Sequence, residues 1–136
     1  LALLRCQAVE VYNNLIGVWY TPGSTVPMPN EDGIRGDAIV ACTIGGGEIN
    51  EHNYVSCNRR DGIVVWHDSG TPSNNVFQGN FVGVDSTGLS ALPNGGDGLK
   101  VSGNSNYIGG VMGPLGGERA GNVLSGNASN GLVIAG

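Results

Sequence analysis

The chain has 136 residues, 25 of them glycine, and only 12% are charged, about half the share usual in soluble domains. Net charge is -5 with six Lys and Arg in all, so the clustered cations that bind nucleic-acid phosphates are missing. Mean hydropathy is near zero and no apolar run reaches about 18 residues, so no transmembrane helix is expected.

The opening stretch "LALLRCQAVEV" has no starting Met, basic n-region or small-residue cleavage site, and reads as part of a processed or longer protein. Residues 1–136 suit one domain, or a segment of a larger one. Cys6, Cys42 and Cys57 form an odd set, so at least one stays unpaired within the chain or bonds to a neighbour.

Next in chain order comes a duplication. Asn14-Leu15-Ile16-Gly17-Val18 matches Asn80-Phe81-Val82-Gly83-Val84, and Asp32-Gly33-Ile34 matches Asp97-Gly98-Leu99. Thr43-Ile44-Gly45-Gly46 matches Tyr107-Ile108-Gly109-Gly110, and Asn53-Tyr54-Val55-Ser56 matches Asn122-Val123-Leu124-Ser125. Four matches in one order define two long repeats, about 10–74 and 75–136. Between the first matched phrases lies "WYTPGSTVPMP". Its three prolines predict a lateral loop over 19–31 that projects and carries any partner contact.

Two shorter phrases recur inside the long repeats. One is Asn followed by two apolar residues: "NYVSCN" at 53–58, "NVFQGN" at 75–80, "NVLSGN" at 122–127. The other is Asp or Asn, then Gly, then apolar residues: "DGIVV" at 61–65, "DGLKV" at 97–101, "NGLVI" at 130–134. Brief apolar patches bounded by Gly, Asn, Asp and Ser are strand signals. The first two Asn phrases start at residues 53 and 75, which predicts a coil of roughly 22 residues. The expected fold is all-β, a right-handed parallel β-helix (β-solenoid) of about six coils. Stacked coils would bury an apolar interior that no single coil can bury. Asn53, Asn75, Asn106 and Asn122 are expected to stack in side-chain ladders, with Cys42 in the slot equivalent to Asn106.

Residues 75–136 resemble the Asn/Gly-rich right-handed parallel β-helix repeat regions of large secreted bacterial surface proteins. The matching steps are "GNFVGVDSTG", "NGGDGL", "NYIGG" and "NVLSGN…NGL". Residues 10–65 follow the pattern loosely, and Trp19 stands where Asp85 does. The resemblance implies this fold and an extracellular or cell-surface location.

Candidate chemistry is sparse. "RRDGIVVWHDSG" gathers Arg60, His67 and Asp68, the residue types of a lyase-like site, against the alternative of a solvated loop edge. Alternation along a strand would set Trp66 and Asp68 on one side and His67 on the other. Asp85 in "DSTG" is a weak Ca²⁺ candidate that an Asx turn explains equally well. Asp32, Asp61 and Asp97 share one repeat phase with Asn130, so a turn role fits them. The runs "IGGG" (44–47) and "LGGER" (115–119) lack the Lys-Ser/Thr of a phosphate loop, and no zinc spacing or other cofactor pattern occurs. Trp19, Tyr20 and Trp66 could stack on sugar or pack on a partner.

Three readings follow. A structural or adhesive module would stack end to end into a fibre or form part of a long surface stalk, its partner being another copy or the rest of a longer chain. A β-helix polysaccharide lyase or hydrolase would need a lateral groove with clustered carboxylates. A phage tailspike segment would form a trimer. Repetition accounts for nearly every polar residue without chemistry, which argues against a catalytic site.

Overall fold

Short apolar runs between turn formers become short strands. The structure is a computed structural model and describes residues 1–110 and 120–136. In chain order the strands are β1 (Ala2–Leu4), β2 (Glu10–Val11), β3 (Leu15–Ile16), β4 (Val18–Thr21) and β5 (Ser24–Pro27). Then come β6 (Ile34–Asp37), β7 (Thr43–Gly45), β8 (Asn53–Val55), β9 (Ile63–Trp66) and β10 (Val76–Gln78). The last are β11 (Asn80–Val82), β12 (Leu99–Ser102), β13 (Tyr107–Ile108), β14 (Val123–Leu124) and β15 (Leu132–Ala135). The one helical element among the described residues is a 3-10 turn at Ile49–Glu51.

All the strands except β4 and β5 build three parallel sheets. The first runs β1-β6-β9-β12-β15, the second β2-β7-β10-β13, the third β3-β8-β11-β14. Each turn of chain gives one strand to each sheet, so the fold is a parallel β-solenoid of about four turns.

Strand register sets a longer turn than the expected 22 residues. Ala2, Arg35, Val64, Lys100 and Val133 lie in one column, so a turn spans 29–36 residues. The long repeat is therefore two turns. Spacing misled because the Asn phrase marks two corners per turn: Asn53 precedes a strand of the third sheet, whereas Asn75 precedes a strand of the second. Register joins Asn53 to Asn80 instead.

Alternate residues of each strand point inward and meet their counterparts in the next turn. Ile34, Ile63 and Leu99 form one such column, Ile44 with Phe77 another, Val55 with Val82 a third, all fully buried.

Polar ladders run up the corners. Asn14, Asn53, Asn80 and Asn122 stack between the second and third sheets. Nδ2 of Asn53 donates to Oδ1 of Asn80 at 3.0 Å, and Nδ2 of Asn80 to Oδ1 of Asn122 at 2.9 Å. Nδ2 of Asn80 also donates to the Ile44 carbonyl at 2.8 Å. Nδ2 of Asn75 donates to Oδ1 of Asn106 at 2.9 Å at the corner before the second sheet, and the backbone N–H of Cys42 donates to Oδ1 of Asn75 at 3.0 Å. A third ladder, beyond the expected ones, joins Asn30, Asn58, Asn94 and Asn127 before the first sheet. Its signal was visible: Asn58, Asn94 and Asn127 each stand three residues before the Asp/Asn-Gly step.

Tight corners dictate backbone conformation. Gly45 ends β7 with φ +83°, and a Cβ there would fall 1.9 Å from the Gln78 carbonyl oxygen. Only glycine fits. Arg5, Ala8, Ala38 and Ala41 also hold positive φ at the corner between the first two sheets, residue types that give no warning of it.

The expected lateral loop is a β-hairpin. β4 and β5 pair antiparallel around Pro22-Gly23, with Trp19 opposite Val26. Pro fixes the first turn position and Gly23, at φ +79°, supplies the second. Two turns later the same place carries a shorter excursion, closed by an antiparallel bridge between Val84 and Ala91.

Candidate functional site

With Ile34, Ile63 and Leu99 facing inward, alternation turns Arg35, Asp37, Trp66, Lys100 and Ser102 to the outer face of the first sheet. Arg35 reaches Asp68 at 2.8 Å and Asp32 at 3.4 Å. Asp37 accepts from the Ser69 backbone N–H at 3.1 Å and from the Ser69 hydroxyl. Arg5 Nε donates to that hydroxyl oxygen at 3.2 Å. The Ser69 hydroxyl above all, despite some desolvation, holds the Asp37 carboxyl below the usual carboxylate range.

Lys100 Nζ sits 4.8 Å from the Trp66 ring centroid, and the His67 ring stacks on Trp66 at 5.1 Å. Thus Trp66 and His67 share a side, contrary to strand alternation, because β9 ends at Trp66 and the chain turns after it. His67 Nδ1 lies 3.0 Å from Ser102 Oγ, whose own proton goes to the Val65 carbonyl at 3.3 Å. Both bonds form when Nδ1 carries the proton, which leaves the Nε2 lone pair outside this contact.

His67 and Asp68 belong to this cluster, but Arg60 does not. It lies before β9, at the corner ladder, where its N–H bonds the Glu31 carbonyl and its carbonyl accepts from Gly96. The cation paired with Asp68 is Arg35, one turn earlier. A 22-residue coil hid that neighbour. Trp66 is flanked by Lys100 and His67, and Trp19 is exposed on the hairpin. Tyr20 turns back toward the 85–90 loop, and burial raises its phenol pKa while Ser86 opposes the shift.

Asp85 organises its own loop. Oδ1 accepts from the Thr87 hydroxyl at 2.7 Å and from the backbone N–H groups of Thr87, Leu89 and Ser90. These donors, Thr87 first, hold its pKa at about 2. Among the described residues no group of three or more His, Cys, Asp or Glu could hold a metal ion. Asp61, Asp97 and Asn130 continue the corner stack: each backbone N–H donates to the carboxylate one turn earlier, at 3.3, 2.8 and 3.0 Å. "LGGER" lies outside the described residues.

On this face Trp66 is flanked by the Lys100 ammonium and the His67 ring. Asp37 is bound by Ser69 and Asp68 is paired with Arg35. Comparison with family models, with curated proteins and with solved structures found no match. The likeness of residues 75–136 to secreted repeat regions thus stands on the motifs alone.

Proposed function

We propose that this chain is a structural or adhesive solenoid module of an extracellular surface protein, extended at its end faces by further turns. Those turns come from a second copy stacked end to end or from more of the same polypeptide. One observation carries the reading: the end faces are unfinished and complementary. At the first turn an open hollow of about 460 Å³ is lined by Leu1, Leu3, Val9, Val11 and Asn14. At the last, the inward-column residues Leu132 and Ile134 are 41% and 68% exposed. Ladder polarity runs one way, Nδ2 toward the Oδ1 of the next turn. The first face thus offers the acceptors of Asn14 and Asn30, the last the donor groups of Asn122 and Asn127.

The winding is taken as right-handed, the hand that parallel crossover connections adopt. β15 gives one sheet a fifth strand, so the far face is stepped. A continuing chain crosses that step without a gap. Location rests on the motif resemblance.

Sedimentation velocity combined with amide hydrogen exchange tests the proposal. Open-ended association that protects β1, β14 and β15 is the expected result. A chain that stays monomeric at high concentration, with those strands as protected as β9, would overturn it. The Trp66 cluster supports a second reading, binding or cleavage of an acidic polysaccharide on the first sheet. Turnover of polygalacturonate, lost on Asp68→Ala, would promote that reading.

A further inference from the structure

Two cysteines break the repeat, and they break it at the same place. Bridges linking Gln7, Val40, Ser73 and Asn104 set the register of the corner between the first and second sheets. In that register Cys6 takes the slot that Ile39 fills one turn later. Cys42 takes the ladder slot that Asn75 and Asn106 fill in later turns. Asn75 Nδ2 caps the Ile39 carbonyl at 3.0 Å. Cys42 Sγ lies 3.4 Å from the Val40 carbonyl and only 3.9 Å from the equivalent carbonyl, that of Cys6, so the ladder bond is nearly lost there. The same Sγ lies 4.0 Å from Sγ of Cys6. Cys42 belongs to the buried core, and Cys6 packs against it.

We propose that Cys6 and Cys42 form a disulfide that staples the first turn to the second, in place of the ladder bond the second turn lacks. The sulfurs must close by about 2 Å to reach a bond of about 2.05 Å, a movement within the range of χ1 rotation. The oxidant is a small-molecule disulfide. The Cys6 thiolate, the more accessible, attacks it and releases one thiol. Cys42, deprotonated, then attacks the Cys6 sulfur of the mixed disulfide and releases the second. Two cysteine protons are lost, and two electrons reduce the oxidant to two thiols. Burial raises the Cys6 pKa, with Cys42 adding to the shift, so the exchange quickens as pH rises.

The link joins positions 36 residues apart and holds down a turn packed on one side only. Cys57 lies elsewhere, its N–H on the Leu92 carbonyl, and stays a thiol. The odd cysteine count thus resolves into one pair and one single.

The test incubates the native chain with glutathione disulfide, alkylates it and weighs it. Expected are one alkylated thiol, a Cys6–Cys42 cross-linked peptide and a Tm about 10 °C above that of the reduced chain. Cys57→Ser should keep the Tm difference and Cys6→Ala should abolish it. Three alkylatable thiols in the treated chain, a glutathione adduct that persists on Cys6, or a cross-link between chains would each overturn the proposal.

Discussion

Asn80 is the best place to measure what a ladder contributes. It is fully buried in the middle of its stack. Replacement by alanine takes the side-chain donor from the Ile44 carbonyl and removes the acceptor of Asn53 Nδ2. The Asn122 Oδ1 keeps the Asn80 backbone N–H at 3.0 Å, so it is not orphaned. Two disrupted buried polar groups at about 1.5 kcal/mol each give a cost of about 3 kcal/mol. With a urea slope of about 2 kcal/mol per molar, the midpoint falls by about 1.5 M. Asn80→Asp keeps the shape but sets a carboxylate against the Ile44 and Gln78 carbonyls, and should cost more than alanine. Asn130→Ala is the control, since that side chain is exposed at the last turn and should cost under about 1 kcal/mol. Urea unfolding followed by tryptophan fluorescence reads all three. An Asn80→Ala variant within about 1 kcal/mol of the parent, or no worse than Asn130→Ala, would refute the ladder as a major source of stability.

Other expectations follow from the same geometry. Gly45→Ala should cost at least about 3 kcal/mol or prevent folding, whereas Gly23→Ala, with open space around it, should cost about 1 kcal/mol, read by circular dichroism melts. A double-mutant cycle on Arg35→Ala and Asp68→Ala should return a coupling of at most about 1 kcal/mol, because the pair is solvent-exposed. The folded pKa of Asp85, about 2, lies below its ordinary 3.8, so what it lends to stability is full above 3.8 and is lost as pH falls toward 2. Carbon-detected NMR should show that midpoint, and Asp85→Ala should remove the acid-dependent opening of residues 85–90.

The solenoid was legible because phrases recur in order, and recurrence in order is what stacking demands. Turn length was not. One Asn-apolar-apolar phrase serves two corners of each turn, so its spacing of 22 is a corner-to-corner distance. Once 33 residues separate stacked neighbours, as Ala2 and Arg35 show, Arg35 falls beside Asp68 and the outer face of the first sheet becomes readable. The hairpin carried a Pro-Gly turn signal between alternating residues, but its prolines argued for an irregular loop. Positive φ at Ala38 and Ala41 left no trace, since alanine resists that conformation and only the surrounding turns enforce it.

Cryo-electron microscopy of the purified chain at neutral pH tests the central claim most directly. Among the described residues thirteen strands over three sheets at about 4.8 Å per turn give each copy an axial length of about 21 Å. Rods with that repeat, lengthening with protein concentration, are the predicted result. Isolated particles at every concentration, with both end faces left bare, would contradict end-to-end extension by copies of this chain.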